Sequence, residues 1–216
     1  MTTRRFVCGM TACCAMACVL LAAGCGAARP SKYYQLTVPG DMTAASGTNV
    51  IPVTILLGSL TGSHLYREDR LVYSSAGQNM GTYEYQRWAE PPTEMIQDVL
   101  FRQLRASGRY RSVNMLRSSA RGDFILRGRL YDFKEVEANP AVARVALEYE
   151  LRDVKTGETV WSQFYSHDEP VGGKDVSSVV AALDRNVQGL IGQMRSSLEQ
   201  YFSAHPPAPP MATPAQ

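Results

Sequence analysis

Cysteine is confined to the first 25 residues of this 216-residue chain. The five cysteines are Cys8, Cys13, Cys14, Cys18 and Cys25. The rest of the chain therefore offers no thiol for a disulfide, for a zinc site or for a catalytic nucleophile. A domain without these must depend on its hydrophobic core, and the remaining length is sufficient for one domain of ordinary size.

A large excess of charge of either sign is also absent. The chain has 22 basic and 20 acidic residues, and two of the basic ones, Arg4 and Arg5, stand in an N-terminal segment that we expect to be removed. The body of the protein is then close to neutral. Because nucleic acid binding needs a basic field that releases counterions from the phosphates, we expect no nucleic acid partner.

The sequence lacks the short motifs of common enzymes. It has no Gly-x-x-x-x-Gly-Lys-Ser/Thr loop to hold ATP phosphates and no Gly-x-Ser-x-Gly nucleophile turn. His64, His167 and His205 are far apart and show no metal-ligand spacing. The adjacent carboxylates Asp168 and Glu169 are most simply a solvated turn. We therefore expect no enzyme activity, no metal and no cofactor.

What the chain does have at its start is the layout of a bacterial export signal. Arg4 and Arg5 precede an uncharged apolar run from Phe6 to Ala23. A run of this length is at the short edge of what spans a bilayer. An uncleaved transmembrane helix is therefore the alternative to a signal peptide.

A cysteine follows the apolar run where such signals are cut. The small residues Ala22, Ala23 and Gly24 stand directly before Cys25, and small side chains allow the backbone to enter the narrow cleft of a signal peptidase. The stretch resembles a bacterial lipobox, with Ala22 in place of the usual large aliphatic residue. We expect Cys25 to be the acylated first residue of the mature protein. An ordinary cleaved signal, with Cys25 merely nearby, is the alternative.

Alternating and β-branched segments predict a sheet. The expected strands are residues 33–37, 50–57, 71–75, 82–86, 110–116, 124–136, 142–153 and 159–167. The third and fourth form a hairpin across residues 76–79, and the last three form a meander. Residues 58–62, with two glycines, are expected to lie in the connection after the second strand. Within residues 145–151 the odd positions are apolar while Glu148 and Glu150 face the other way, which indicates a sheet covered on one face.

Periodic apolar residues predict two helices. The first follows Pro91 and Pro92, stops at Gly108 and has one apolar face, formed by Met95, Ile96, Val99, Leu100 and Leu104. The second covers residues 175–202, with an apolar stripe of Val176, Val179, Val180, Leu183, Val187, Leu190, Ile191, Met194, Leu198 and Tyr201.

The order of these elements predicts an α/β fold, bordering on α+β, with helices packed on a mixed β-sheet and a long C-terminal helix. The expected organisation is a signal peptide at 1–24, a tether at 25–32, one domain at 33–202 and a disordered Pro/Ala-rich tail at 203–216.

Aromatic and basic residues are concentrated before the first helix, at Tyr66, Arg70, Arg87 and Trp88. In one interpretation Trp88 anchors the start of the helix in the core and an arginine pairs with Glu90. In the other these four residues form a partner interface, because Tyr, Trp and Arg dominate interface hot spots. The first interpretation is favoured, and the second is kept as a hypothesis.

Several of these features occur together in one family. The lipobox, Tyr33-Tyr34-x-Leu36, Tyr66-x-x-x-Arg70, Arg87-Trp88-Ala89-Glu90-Pro91, the turn Asp153-x-x-x-Gly157 and the long final helix resemble the ABC-type transport auxiliary lipoproteins, the PqiC-like group. The resemblance extends over residues 33–202, and the Arg-Trp-Ala-Glu-Pro string is its most specific part.

The resemblance implies a non-enzymatic lipoprotein, anchored through Cys25, that serves an Mce-type ABC system moving lipids or other apolar molecules between the inner and outer membranes. The Mce protein, the permease and the ATPase would be separate chains, and a homo-oligomer is compatible with the family. Gly26 stands where an Asp commonly retains lipoproteins at the inner membrane of Gram-negative bacteria. This residue favours the periplasmic face of the outer membrane.

Two other functions remain open from the sequence. One is a structural lipoprotein of an outer-membrane assembly or secretion complex. The other is a lipid-anchored periplasmic hydrolase, whose catalytic residues would be neighbours in space that the sequence does not reveal.

Overall fold

The computed structural model describes residues 29–38, 50–75 and 79–207. The expected signal peptide, Cys25, the predicted loop at 39–49, the hairpin turn at 76–78 and the end of the predicted tail at 208–216 lie outside these residues. The domain described below begins at Lys32.

Within the described residues, eight strands and two α-helices build the domain. The strands are β1 (Lys32–Tyr34), β2 (Ile51–Gly62), β3 (Arg70–Ser75), β4 (Asn79–Trp88), β5 (Tyr110–Met115), β6 (Phe124–Val136), β7 (Val142–Asp153) and β8 (Thr159–Pro170). The helices are α1 (Pro92–Ala106) and α2 (Val176–Ala204), and a short 3-10 helix (His64–Tyr66) lies between β2 and β3.

The strands form one mixed sheet in which β6 is the shared partner. The first half of β6 pairs in parallel with β2, and its last residues pair in parallel with β3. Along its other edge β6 pairs antiparallel with β7, which pairs with β8. β5 extends the sheet beside β2, while β4 and β1 extend it beside β3. The predicted hairpin and the predicted meander are both confirmed.

Both helices belong to the same hydrophobic core. Helix α1 packs on β2 and β5, whereas α2 packs mainly on β7 and β8. The two helices contact each other through a hydrogen bond in which Gln103 Nε2 donates to Gln188 Oε1 at 2.7 Å. The fold is therefore α+β, with a mixed eight-stranded sheet and a long C-terminal helix, as the sequence indicated.

Helix α1 has the predicted apolar face. Its five predicted residues are all buried, and Pro92 occupies the first turn, where a missing N–H costs nothing. Gly108 follows the helix with a φ of 59°, a conformation that glycine adopts without steric cost. Helix α2 starts at an N-cap in which the Asp175 carboxylate accepts from Ser178 N at 3.0 Å.

Several predicted boundaries differ from the structure. β1 ends at Tyr34 and not at residue 37, and β4 extends beyond the predicted 82–86 to cover Asn79–Trp88. Residues 58–62 continue β2 and are not a connection. Asp168 and Glu169 lie on β8 and do not form a solvated turn. Helix α2 continues to Ala204, so the first two residues of the predicted tail are helical.

Candidate interaction surfaces

The structure places two of the four predicted interface residues in the core. Trp88 is 1 % exposed, and its ring lies 5.2 Å from that of Phe133. Tyr66 is also 1 % exposed, and its hydroxyl donates to Asp132 Oδ1 at 3.4 Å. Burial raises the pKa of Tyr66 above its ordinary value. Neither side chain can contact a partner directly in this fold, which corrects that part of the interface hypothesis.

The other two residues, Arg70 and Arg87, are partly exposed where β3 and β4 pair. Arg87 Nη1 lies 2.8 Å from Asp69 Oδ1, so it pairs with Asp69 and not with Glu90. The backbone N–H of Trp88 donates to the carbonyl of Asp69 at 2.6 Å. Buried aromatic side chains and backbone hydrogen bonds thus support Arg70 and Arg87 at the surface. That these two arginines form a partner interface stays a prediction.

The three histidines lie in separate places. His64 pairs with Glu68 at 2.9 Å, His167 lies 3.5 Å from Glu169, and the ring of His205 stacks on Tyr201 at 4.7 Å. Over residues 29–38, 50–75 and 79–207, no three metal-ligating side chains gather into a group that could hold an ion. None of the helices in that part of the chain is both long and apolar enough to cross a bilayer.

The face of β6, β7 and β8 that points away from the core carries exposed aromatic residues. Leu126 and Leu130 of β6 point into the core. Tyr131 follows Leu130 at a bulge between Leu130 and Asp132, and its side chain lies on the opposite face. The rings of Tyr131 and Phe164 lie 5.7 Å apart in an edge-to-face arrangement, with 43 % and 56 % of these residues exposed. We call this side of the sheet the outer face.

Charged side chains surround the aromatic pair on the outer face. Arg144 donates two hydrogen bonds of 2.7 Å to the carboxylate of Asp168, and this contact holds the pKa of Asp168 below its ordinary value. The Tyr131 hydroxyl donates to Glu148 at 2.8 Å, which raises the pKa of Tyr131. Beside the pair lies a groove of about 580 Å³ with Ala146 among its lining residues.

A second group on the outer face is basic. Arg117 and Arg121 of the β5–β6 loop and Arg127 and Arg129 of β6 are all exposed. Sequence reasoning missed this surface. The local composition could have indicated it, because residues 102–129 contain eight arginines and a single carboxylate, Asp123.

The family model for the ABC-type transport auxiliary lipoprotein component matches residues 34–195, which is most of the chain. The chain belongs to this family. No curated protein sequence matches it.

Solved structures agree with the fold of this transport auxiliary lipoprotein. Protein XCC0632 from Xanthomonas campestris is similar, with a TM-score of 0.66 and 19 % identity over 76 % of this chain and 92 % of that one. A second solved structure, of an uncharacterized protein, gives a TM-score of 0.63 and 11 % identity, over 79 % of this chain and 99 % of that one. Protein CT253 from Chlamydia trachomatis gives 0.50 and 8 %, over 71 % and 99 %. At these identities the likeness concerns the fold alone.

Proposed function

We propose that this protein is an outer-membrane lipoprotein, acylated on Cys25, that acts as the non-enzymatic auxiliary component of an Mce-type ABC transport system. The system would move lipids or other apolar molecules between the inner and outer membranes. The observation that carries the proposal is the match to the transport auxiliary lipoprotein family over residues 34–195.

The sequence supports an accessory and not an energy-coupling role. The chain has no phosphate-binding loop, so the ATPase and the permease would be separate proteins. The small residues before Cys25 support anchoring, and Gly26 in place of an Asp supports the outer membrane as its destination. One acyl chain gives only marginal membrane binding, whereas the several chains of a bacterial lipoprotein give a durable anchor.

The proposed docking surface for the Mce protein includes Arg70 and Arg87. Arg87 is held by the 2.8 Å contact with Asp69, and Trp88 next to it is fixed in the core. A rigid support of this kind lowers the entropy lost when a partner orders the arginines. Tyr66 and Trp88 would act from inside the domain, by positioning the strand ends.

Affinity purification of the full-length protein from its native envelope tests the partnership. An Mce-domain protein should co-purify with the wild type, and Arg70→Glu should reduce its recovery because a charge at the surface is reversed. Arg102→Glu is the control, since Arg102 is exposed on α1 and not on the strands β3 and β4 that carry the proposed surface. Recovery of the lipoprotein without any Mce protein, even after cross-linking, would contradict the proposal.

The anchor is tested separately. Cys25→Ala should abolish labelling with radioactive palmitate and leave an uncleaved precursor. Separation of inner and outer membranes by density should place the wild type in the outer-membrane fraction. A mature protein with an unmodified N-terminus at another residue would overturn the assignment of Cys25.

A further inference from the structure

The β5–β6 loop lies directly on the outer face of the sheet. A Cβ on Gly122 would collide with the side chain of Leu56, which is 6 % exposed and points away from the core residues Ile55 and Leu57. Arg117 of the same loop donates to Ser59 Oγ at 3.4 Å. The loop is therefore packed on β2 and places Arg117 on the outer face, and the exposed Arg121 is next to Gly122 in the same loop.

Two arginines of β6 continue the basic surface. The side chain of Arg127 crosses β2 so closely that a Cβ on Gly58 would lie 2.9 Å from Arg127 Cγ. Arg129 places its guanidinium 5.5 Å from the centre of the Tyr131 ring. We call Arg117, Arg121, Arg127 and Arg129 together the arginine surface.

The arginine surface has an excess of positive charge. Within the described residues none of its four members has a carboxylate oxygen within 4.0 Å. Glu148 and Glu150 lie on the same face, opposite Arg129 and Arg127 in the ladder. Since Glu148 already accepts from the Tyr131 hydroxyl, the two carboxylates offset only part of the charge of four arginines.

Exposed apolar side chains border the arginine surface. Tyr131 and Phe164 lie along one side of it. On another side is Val154, which is 45 % exposed and whose N–H donates to the carbonyl of Asp123 at 3.0 Å. Cationic side chains beside exposed aromatic and aliphatic ones suit the boundary between phosphates and acyl chains.

We infer that the arginine surface lies against anionic phospholipid headgroups of the membrane to which the protein is anchored. The inference rests on the anchoring in the proposed function, and not on the transport partner. An acidic protein would also satisfy the arginines. The membrane is favoured because the charges extend along a loop and a strand, where Arg127 and Arg129 line a groove of about 320 Å³, and because apolar side chains border them.

The test uses the lipidated full-length protein in phosphatidylcholine vesicles, with or without phosphatidylglycerol. An environment-sensitive fluorophore is placed on Ser119→Cys in the exposed β5–β6 loop, or on Gln193→Cys on the exposed side of α2 as a control. Because no other cysteine follows Cys25, the label has a single site when Cys25 is acylated. If Cys25 proves not to be acylated, both positions are labelled in a chain in which the cysteines at 8, 13, 14, 18 and 25 are all replaced by alanine, and this chain is mixed with the vesicles.

The blue shift of the fluorophore at position 119 should be at least about twofold larger with phosphatidylglycerol, and position 193 should not respond. Each arginine near an anionic surface contributes roughly a fivefold factor in affinity. The pair Arg117→Glu and Arg121→Glu should therefore reduce the response about tenfold or more, as should high salt. The matched pair Arg102→Glu and Arg105→Glu on α1 should leave it unchanged.

Three results would overturn the inference. One is the absence of any effect of phosphatidylglycerol at position 119. Another is an equal response at position 193, or an equal loss with the control pair. The third is a response that requires an added periplasmic protein, which would assign the arginine surface to an acidic partner. None of these results depends on whether an Mce protein co-purifies, so the two proposals can fail separately.

Discussion

Asn186 is a polar residue on the buried face of α2. It is 2 % exposed, and its Nδ2 donates to the carbonyls of Ala143 at 2.9 Å and His167 at 2.8 Å. One side chain therefore ties the helix to both β7 and β8. Because an apolar stripe has no such directional bonds, Asn186 fixes how the helix lies along these strands.

Replacing Asn186 should lower the stability of the domain. Asn186→Ala removes both hydrogen bonds and should lower the free energy of unfolding by about 2 kcal/mol. Asn186→Asp should cost more, at least about 3 kcal/mol, because it places a carboxylate against two carbonyl oxygens. Urea unfolding measures both. Gln193→Ala, exposed on the same helix, should change stability by less than about 0.5 kcal/mol, and equal losses for Asp and Ala would contradict this role.

Asp168 gives the protein a defined acid sensitivity. Its pKa is lowered in the folded state, chiefly by the hydrogen bonds from Arg144. Its contribution is therefore fully present above the ordinary Asp pKa of about 3.9, and it is lost as the pH falls through the lower folded value. Both side chains are about 40 % exposed, so the contribution should not exceed about 1 kcal/mol.

Asp168→Asn tests this linkage. The variant should be less stable than the wild type at pH 6, and the difference should disappear as the pH falls below the folded pKa of Asp168. Urea midpoints measured from pH 6 to low pH provide the comparison. Gln193→Ala, which replaces an exposed side chain that does not titrate, should show a difference that does not vary with pH. If the stability difference between the wild type and Asp168→Asn persists at low pH, the loss of stability comes from packing and not from charge.

At the scale of elements, glycines in β6 and α2 have opposite surroundings. A Cβ on Gly128 would lie 2.6 Å from Tyr149 Cε1 and 2.7 Å from Leu60 Cδ1, between two buried side chains. A Cβ on Gly189 would have nothing within 4 Å. Gly128 is therefore required by close packing on the sheet, whereas Gly189 only weakens the helix.

Alanine at the two positions should have effects of opposite sign. Gly128→Ala should lower the free energy of unfolding by about 1–3 kcal/mol because it overpacks the core. Gly189→Ala should raise it by up to about 1 kcal/mol because alanine favours the helix. Thermal and urea unfolding of the two variants in parallel would measure the difference. A destabilised Gly189→Ala would show that a neighbour touches this side of α2.

Elements with a clear period were predictable from the sequence. The apolar spacing of α1 and the alternation around Val145–Leu151 of β7 correspond to the buried residues observed. The length of β2 was not predictable, because a glycine in sequence suggests a turn, whereas Gly58 makes room for the Arg127 side chain on the neighbouring strand. Such an approach between distant segments leaves no local pattern.

The candidate site was less predictable than the fold, for the same reason. Asp168 and Glu169 are adjacent carboxylates, and their partners, Arg144 and Arg185, are 24 and 16 residues away. Side chains of neighbouring strand residues point to opposite faces, so one carboxylate pairs across the sheet and the other with α2. The burial of Trp88 was the favoured interpretation of the sequence and is confirmed, whereas no pattern in the sequence indicated that Tyr66 is buried.

At the scale of the whole molecule, one core supports all the elements. Both helices and the sheet contribute to a single cluster of buried residues, and no cysteine follows Cys25. The domain from Lys32 onward should therefore unfold in one cooperative step. Circular dichroism and tryptophan fluorescence should give coincident urea transitions, and a reducing agent should not shift them. Separate transitions would show that one helix and its strands are stable without the rest.

The position of β6 has a consequence for protein engineering. The connection to β7, residues 137–141, is largely exposed, while the ladder between the two strands extends from Phe124 opposite Asp153 to Val136 opposite Val142. A proteolytic nick in this connection should leave two complementary fragments bound to each other. One would contain β1 to β6 with α1, and the other β7 and β8 with α2. Expressed separately and fused to reporter halves, these fragments could serve as a split-protein sensor in the bacterial envelope.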